Sequence, residues 1–284
     1  MSGGFLLCGE KVGVGCAAAG VARMDWDSEH FNAEIGELLL TSTGRRGKEL
    51  LANIIPEVLA RASRDGWQHI SVHVDSTDTE LAEILLGAGF WQADTKMVYR
   101  YGSHGSDSSP RLLFSPREMR EDDIEQVRNI VARADFPSRF SRDTFFCPDR
   151  VVDMHLCWLQ NILARPAPER IACVAESDGN IMAFAVSEYV ERLDRSPHWR
   201  GYSRALAAGE KRACGAALSA VGAMTSVARE RDSDIECVVS AHNRAANRGL
   251  SYLGYKLSGR QFVLHRRLQE ASVFSGLRSL GRSL

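Results

Sequence analysis

The chain has 284 residues, 44% apolar and 25% charged, the balance of a globular protein and not of a disordered, collagen-like or coiled-coil one. Its 35 Lys and Arg against 36 Asp and Glu give a formal net charge of −1, so it lacks the electrostatic footprint of a general nucleic-acid binder. The 7 cysteines include no CxxC pair, and the opening MSGGFLLCGEKVGVGC carries no long apolar run; the expectation is reduced thiols in the cytoplasm, no metal and no membrane span.

Length alone suggests about two domains. Composition breaks at Gly102–Pro110 (GSHGSDSSP), so domains are expected over 1–101 and 111–268, with 102–110 as linker and 269–284 as a basic tail. In the first part, Leu50, Leu51, Ile54, Ile55, Val58 and Leu59 recur at helix spacing within 46–64. HISVHV (69–74) alternates as a half-buried strand does, 79–86 reads as a second helix closed by Gly87 and Gly89, and 95–101 as a strand. In the second part, a strand is expected at 112–114. The acidic run Glu121-Asp122-Asp123 then opens a helix through Ala134, its charges favouring the helix dipole. A further amphipathic helix is expected over 151–163. Strands 171–176 and 181–190 are joined by Ser177-Asp178-Gly179-Asn180, a hairpin turn signal. A strand at 202–208, a helix at 216–229, a strand at 235–240, a helix at 244–253 and a strand at 261–265 complete the chain.

The two parts end alike. Each runs helix, polar turn, strand, short polar step, helix, Gly-aromatic (Gly89-Phe90; Gly254-Tyr255), strand. This repeat of pattern predicts a duplicated α/β unit with a mixed sheet.

Chemistry concentrates in RALAAGEKRACGAAL (204–218), where a strand enters a small-residue turn and leaves into a helix. Arg212-x-x-Gly215-x-Ala217 would let a phosphate approach the backbone N–H groups of a helix start, although close packing alone also selects small residues there. Cys214 sits inside this turn and reads as packing. About thirty residues on, VVSAHNRAANRGLSYLGY supplies a strand, an Asn and an Ala-rich helix.

With these segments together the chain resembles the GNAT superfamily of acyl-CoA-dependent N-acyltransferases. Trp26-Asp27-Ser28-x-x-Phe31 is similar to an element of the TDP-fucosamine acetyltransferase branch of tandem GNAT proteins, although core aromatics and a helix cap explain it equally. The resemblance implies two tandem GNAT-like domains, the N-terminal one degenerate, because Gly44-Arg45-Arg46-Gly47-Lys48 is its nearest counterpart to the phosphate turn. It implies acetyl-CoA or another acyl-CoA as cofactor, held by Leu206, Ala207, Ala208, Arg212, Ala213, Cys214, Gly215, Ala216, Ala217 and Asn243. The acceptor expected is a small-molecule amine, with a nucleotide-linked amino sugar as the candidate by kinship, near Arg139, Arg142 and Trp158. A homodimer is left open.

Leu250 stands where the family usually has a Tyr acid; Tyr252, two residues on, is the substitute candidate, and Glu188 the candidate base, with Glu176, Tyr189, His198 and His155 also considered. Other acceptors (an amino acid, an antibiotic, a carrier-bound intermediate) and a non-catalytic CoA-binding module stay open.

Overall fold

In the computed structural model of the chain, residues 6–12, 15–102, 114–189, 198–201, 206–209 and 215–268 are described. They form two compact units: Met1–Ala93 with Phe262–Leu284, and Asp94–Gln261. The compositional break at 102–110 is not where compactness divides, because the strand before it already belongs to the second unit.

In the first unit, β1 (Leu6–Val12), β2 (Gly15–Arg23) and β3 (Ile35–Gly44) form an antiparallel meander, and β4 (His69–Asp75) adds in parallel to β3. Helices α1 (Asp25–Phe31), α2 (Gly47–Arg64) and α3 (Thr79–Gly87) connect them. The apolar stripe of α2 is buried as its spacing predicts: Leu50, Leu51, Ile54, Ile55, Val58 and Leu59 meet Val21, Leu38, Ile70 and Val72 in one core.

The Trp26–Phe31 element lies in α1. Ser28 does not cap the helix; its hydroxyl donates to the Ile35 carbonyl and accepts the Ile35 N–H, both at 3.1 Å, tying α1 to β3. Trp26 is exposed and stacks on His30. The Gly44–Lys48 turn is a packing device too. A Cβ on Gly47 would sit 3.0 Å from Ser42 Cβ, and Lys48 is held by Asp78 at 2.5 Å and Glu80 at 3.2 Å.

The second unit begins within β5 (Trp91–Tyr101) and continues through β6 (Ser115–Glu118), α4 (Ile124–Arg133) and α5 (Pro148–Leu163). Then come β7 (Arg170–Ser177), β8 (Asn180–Tyr189), β9 (His198–Gly201), β10 (Leu206–Gly209) and α6 (Ala216–Glu230). The unit closes with β11 (Asp234–Ser240), α7 (Arg244–Tyr252) and the start of β12 (Lys256–Arg267). The strand order is β6-β7-β8-β9-β11-β5-β12, with β10 paired to β8. Helices α6 and α7 cover one face, packing on Cys173, Ala175, Ala183, Ala185, Ile235 and Cys237. Helices α4 and α5 cover the other, packing on Val174, Ile181, Phe184 and Val186. No helix among the described residues is long and apolar enough to cross a membrane.

The repeat is real in the backbone. After α3, Gly89 N–H bonds to Leu86 O and Phe90 N–H to Leu85 O; after α7, Gly254 N–H bonds to Ser251 O and Tyr255 N–H to Leu250 O. Both are Schellman closures, with the glycines at φ +84° and +87°. The aromatic that follows is buried each time.

The acidic run before α4 does more than favour a helix dipole. Asp123, buried, takes two hydrogen bonds from Arg117 at 2.6 and 2.9 Å and one from the Arg120 N–H at 2.7 Å, while Arg117 also reaches Glu176 at 2.6 Å. The Arg117 guanidinium holds the Asp123 carboxyl below the usual carboxylate range. A depressed folded-state pKa contributes stability that is present at neutral pH and lost as pH falls through the folded-state value. Asp123→Asn should therefore cost about 1–3 kcal/mol in urea unfolding near neutral pH, and the difference from the native chain should shrink toward about pH 3, below the ordinary Asp pKa.

Candidate functional site

The central strands of the second unit do not stay together. Arg200 lies opposite Glu188 and Leu206 opposite Val186, so β9 and β10 are offset by six positions in sequence where their partners on β8 are offset by two. The first piece, β9, pairs with β8 and, in parallel, with β11. The second piece, β10, pairs with β8 only among the described residues. Past the shift, β10 no longer pairs with β11, and its second backbone edge has no partner among the described residues.

A cavity of about 610 Å³ occupies that parting. Ala207 and Gly209 line it from β10, and Cys237 to Ser240 from β11. Strand alternation gives it two sides. Cys237 and Val239 of β11, with Met97, Tyr99 and Tyr101 of β5, pack with α6 and α7. Val238, Ser240, Asp94 and Lys96 therefore stand on the opposite face, toward α4 and α5.

On the α6–α7 side the lining includes Gly215, Ala217, Leu218, Asn243, Ala246, Gly249 and Leu250. Gly215 is the N-cap of α6 at φ +83°, a backbone conformation that a side chain would strain. The first-turn N–H groups of α6 have no intrahelical acceptor and form the positive end of its dipole. Asn243 caps α7, its Oδ1 accepting the Ala246 N–H at 3.1 Å. Asn247 fixes the approach by donating to the Ser240 and Asn243 carbonyls at 2.9 and 2.7 Å.

The opposite side is aromatic and charged. Phe136, Arg139, Phe140, His155 and Trp158 line it. The Arg139 guanidinium lies 4.4 Å from the Phe140 ring centroid, and His155 stacks on Phe136 with Trp158 edge-on. His155 Nδ1 lies 2.8 Å from the Val151 carbonyl. A carbonyl only accepts, so Nδ1 carries the proton and Nε2 keeps its lone pair. Burial lowers the His155 pKa to about 4. Asp94 is buried beneath, its Oδ1 accepting the Ser240 hydroxyl at 2.6 Å and the Thr95 N–H at 2.8 Å.

The structure brings together only part of the set that the sequence points to. Ala207, Gly215, Ala217, Asn243, Arg139 and Trp158 border one cavity. Ala208 and Ala216 turn into the core, because alternation and the first helical turn aim them away. Leu206 begins β10; Arg212, Ala213 and Cys214 lie outside the described residues. Arg142 is exposed off the cavity, after the turn in which its N–H bonds to the Ser138 carbonyl. Tyr252 is 59% exposed while Leu250 faces the cavity; two residues on a helix are about 200° apart. Glu188 is buried against Arg165 at 2.7 Å and does not border the cavity, and Glu176 is held by Arg117. Asp94, Lys96 and Ser240 escape a sequence reading, since nothing in one sequence shows that 94–101 pairs with β11.

Cys237 borders the cavity, but burial pushes its thiol up to about 12. It stays a thiol at neutral pH and is no nucleophile.

No protein-family model matches the chain, and no curated protein matches it. Solved structures do. A GCN5-related N-acetyltransferase from Sphaerobacter thermophilus superposes with a TM-score of 0.59 at 15% identity, covering 90% of this chain and 81% of that one. One from Kribbella flavida gives 0.55 at 11% identity, covering 92% and 89%. A tandem GNAT protein from the clavulanic acid biosynthesis pathway gives 0.51 at 12% identity, covering 93% and 84%. The fold is the GNAT fold, present in tandem.

His155 generates a direct test. Proton NMR of its ring should show no titration between about pH 6 and about pH 8, because its folded pKa lies well below the ordinary value near 6.5. A midpoint near 6.5 would mean that the ring is solvated and its tautomer unfixed.

Proposed function

We propose that the protein is an acyl-CoA-dependent N-acyltransferase whose second unit carries out the reaction. The observation that carries this reading is the parting of β10 from β11. It leaves an open strand edge beside a helix N-terminus, in a cavity that reaches both faces of the sheet. An amide-bearing pantetheine arm pairs with such an edge as a strand does, and a pyrophosphate suits the start of α6. Arg212, by its place in the sequence, adds positive charge there.

The acceptor amine enters from the α4–α5 side. Its nitrogen attacks the thioester carbonyl carbon, the C–N bond forms and the C–S bond breaks. The proton lost by nitrogen ends on the departing thiolate, so amine and acyl-CoA become amide and coenzyme A. With Cys237 protonated and Leu250 where an acid is expected, the site works by positioning two reactants, a contribution that can reach about 7–11 kcal/mol of barrier. The donor is acetyl-CoA and the acceptor a small-molecule amine.

Ala217→Glu tests the reading. A carboxylate in the first turn of α6 suits the helix dipole, so the fold should hold, but it faces the site assigned to pyrophosphate. In titration calorimetry the native chain should bind acetyl-CoA, and the variant on the order of tenfold or more weakly, by charge repulsion at close range. Equal affinity, or no binding by the native chain, overturns the assignment.

A further inference from the structure

Taking the acyl-transfer reading as its basis, we infer that Asp94 is the anchor for the acceptor's amino group, which binds as ammonium and gives one proton to water before its nitrogen attacks, and that the acceptor is a primary amine on a flat apolar skeleton.

Asp94 is only 4% exposed, yet it borders the cavity. A buried carboxylate is costly unless its oxygens are satisfied. Oδ1 is satisfied twice, by the Ser240 hydroxyl and the Thr95 N–H. Oδ2 receives no hydrogen bond from the described residues. The geometry around Oδ1 is locked: the Ser240 hydroxyl also accepts the His242 N–H at 3.2 Å, and the Ala241 N–H bonds to the Thr95 carbonyl at 2.8 Å. The carboxylate is thus held in one orientation with one oxygen left for a ligand. An acceptor-only group of this kind takes a donor, and a cationic donor best.

Alternation puts Asp94 on the face of the sheet away from α6 and α7, so the donor it meets comes from the acceptor side. There the walls are the rings of Phe136, Phe140, Trp158 and the neutral His155, with Arg139 and Lys96 also bordering the cavity. The rings are packed against one another before any ligand arrives, with His155 and Phe136 centroids 4.5 Å apart and Phe140 against Phe146 at 5.0 Å. Such a panel holds a flat apolar body, not a polar chain. Asp94 comes from β5, a strand at the end of the first half of the repeat, so the acceptor site is completed by a residue that the second half does not encode.

Phenethylamine is the probe, with phenethyl alcohol as its uncharged counterpart. The full-length native chain and Asp94→Asn are compared by titration calorimetry with each probe alone, then by thiol release from acetyl-CoA. Asn keeps the size and still accepts from Ser240 and Thr95, and its acetyl-CoA affinity and melting temperature report an intact fold. Phenethylamine should bind the native chain in preference to the alcohol, and the variant should lose on the order of tenfold to a hundredfold in amine affinity and in kcat/KM, the range for a hydrogen bond to a charged group. Equal binding of amine and alcohol, an unchanged variant, or no binding of either probe by the native chain overturns the inference. Loss of acetyl-CoA binding in the native chain would instead bring down the acyl-transfer reading, and the amine titration would still decide the role of Asp94.

Discussion

A β-strand in the middle of a sheet must pair its backbone on both edges or leave polar groups in a dry place. Strand β9 obeys this, lying between β8 and β11. Strand β10, a few residues on, keeps only β8 among the described residues. The cavity, the exposure of the β10 edge, and the convergence of α6 and α7 on one mouth all depend on that parting.

The sheet also separates two tasks. Met97, Tyr99 and Tyr101 of β5 and Ile235, Cys237 and Val239 of β11 pack beneath α6 and α7, and the residues between them stand on the opposite face of the sheet. A ligand that passes through the gap touches helix N-termini and small residues on one side, and aromatic rings with charged groups on the other. Glu188, although on a central strand, pairs with Arg165 and does not border the gap. The helix period carries Tyr252 to the solvent while Leu250 takes the inward place.

Much of the architecture was legible without coordinates. The apolar spacing of α2 and the alternation of HISVHV each report a local period that burial enforces. The Asp178-Gly179 turn was legible for a backbone reason, because both residues adopt positive φ in the hairpin. The paired Gly-aromatic steps were legible because a Schellman closure needs a residue free to take positive φ, followed by an apolar group that packs back on the helix. Strand β9 was not legible: its four residues are short and carry no alternation that a periodicity could find.

The sequence by itself determined α2 to α7, the strands from β4 onward except β6 and β9, and the repeat, since each follows from contacts within a few residues; α1 and the β1–β3 meander were not read from it. Only the tertiary structure decided where the last strand of each half is seated: residues 94–101 lie beside β11, and 262–267 belong with the first half of the chain. Backbone hydrogen bonding is indifferent to side-chain identity, so a strand's neighbour is not written in its own residues. That seating brings Asp94 and Ser240 to within 2.6 Å across 146 positions of sequence, and no local pattern could have joined them.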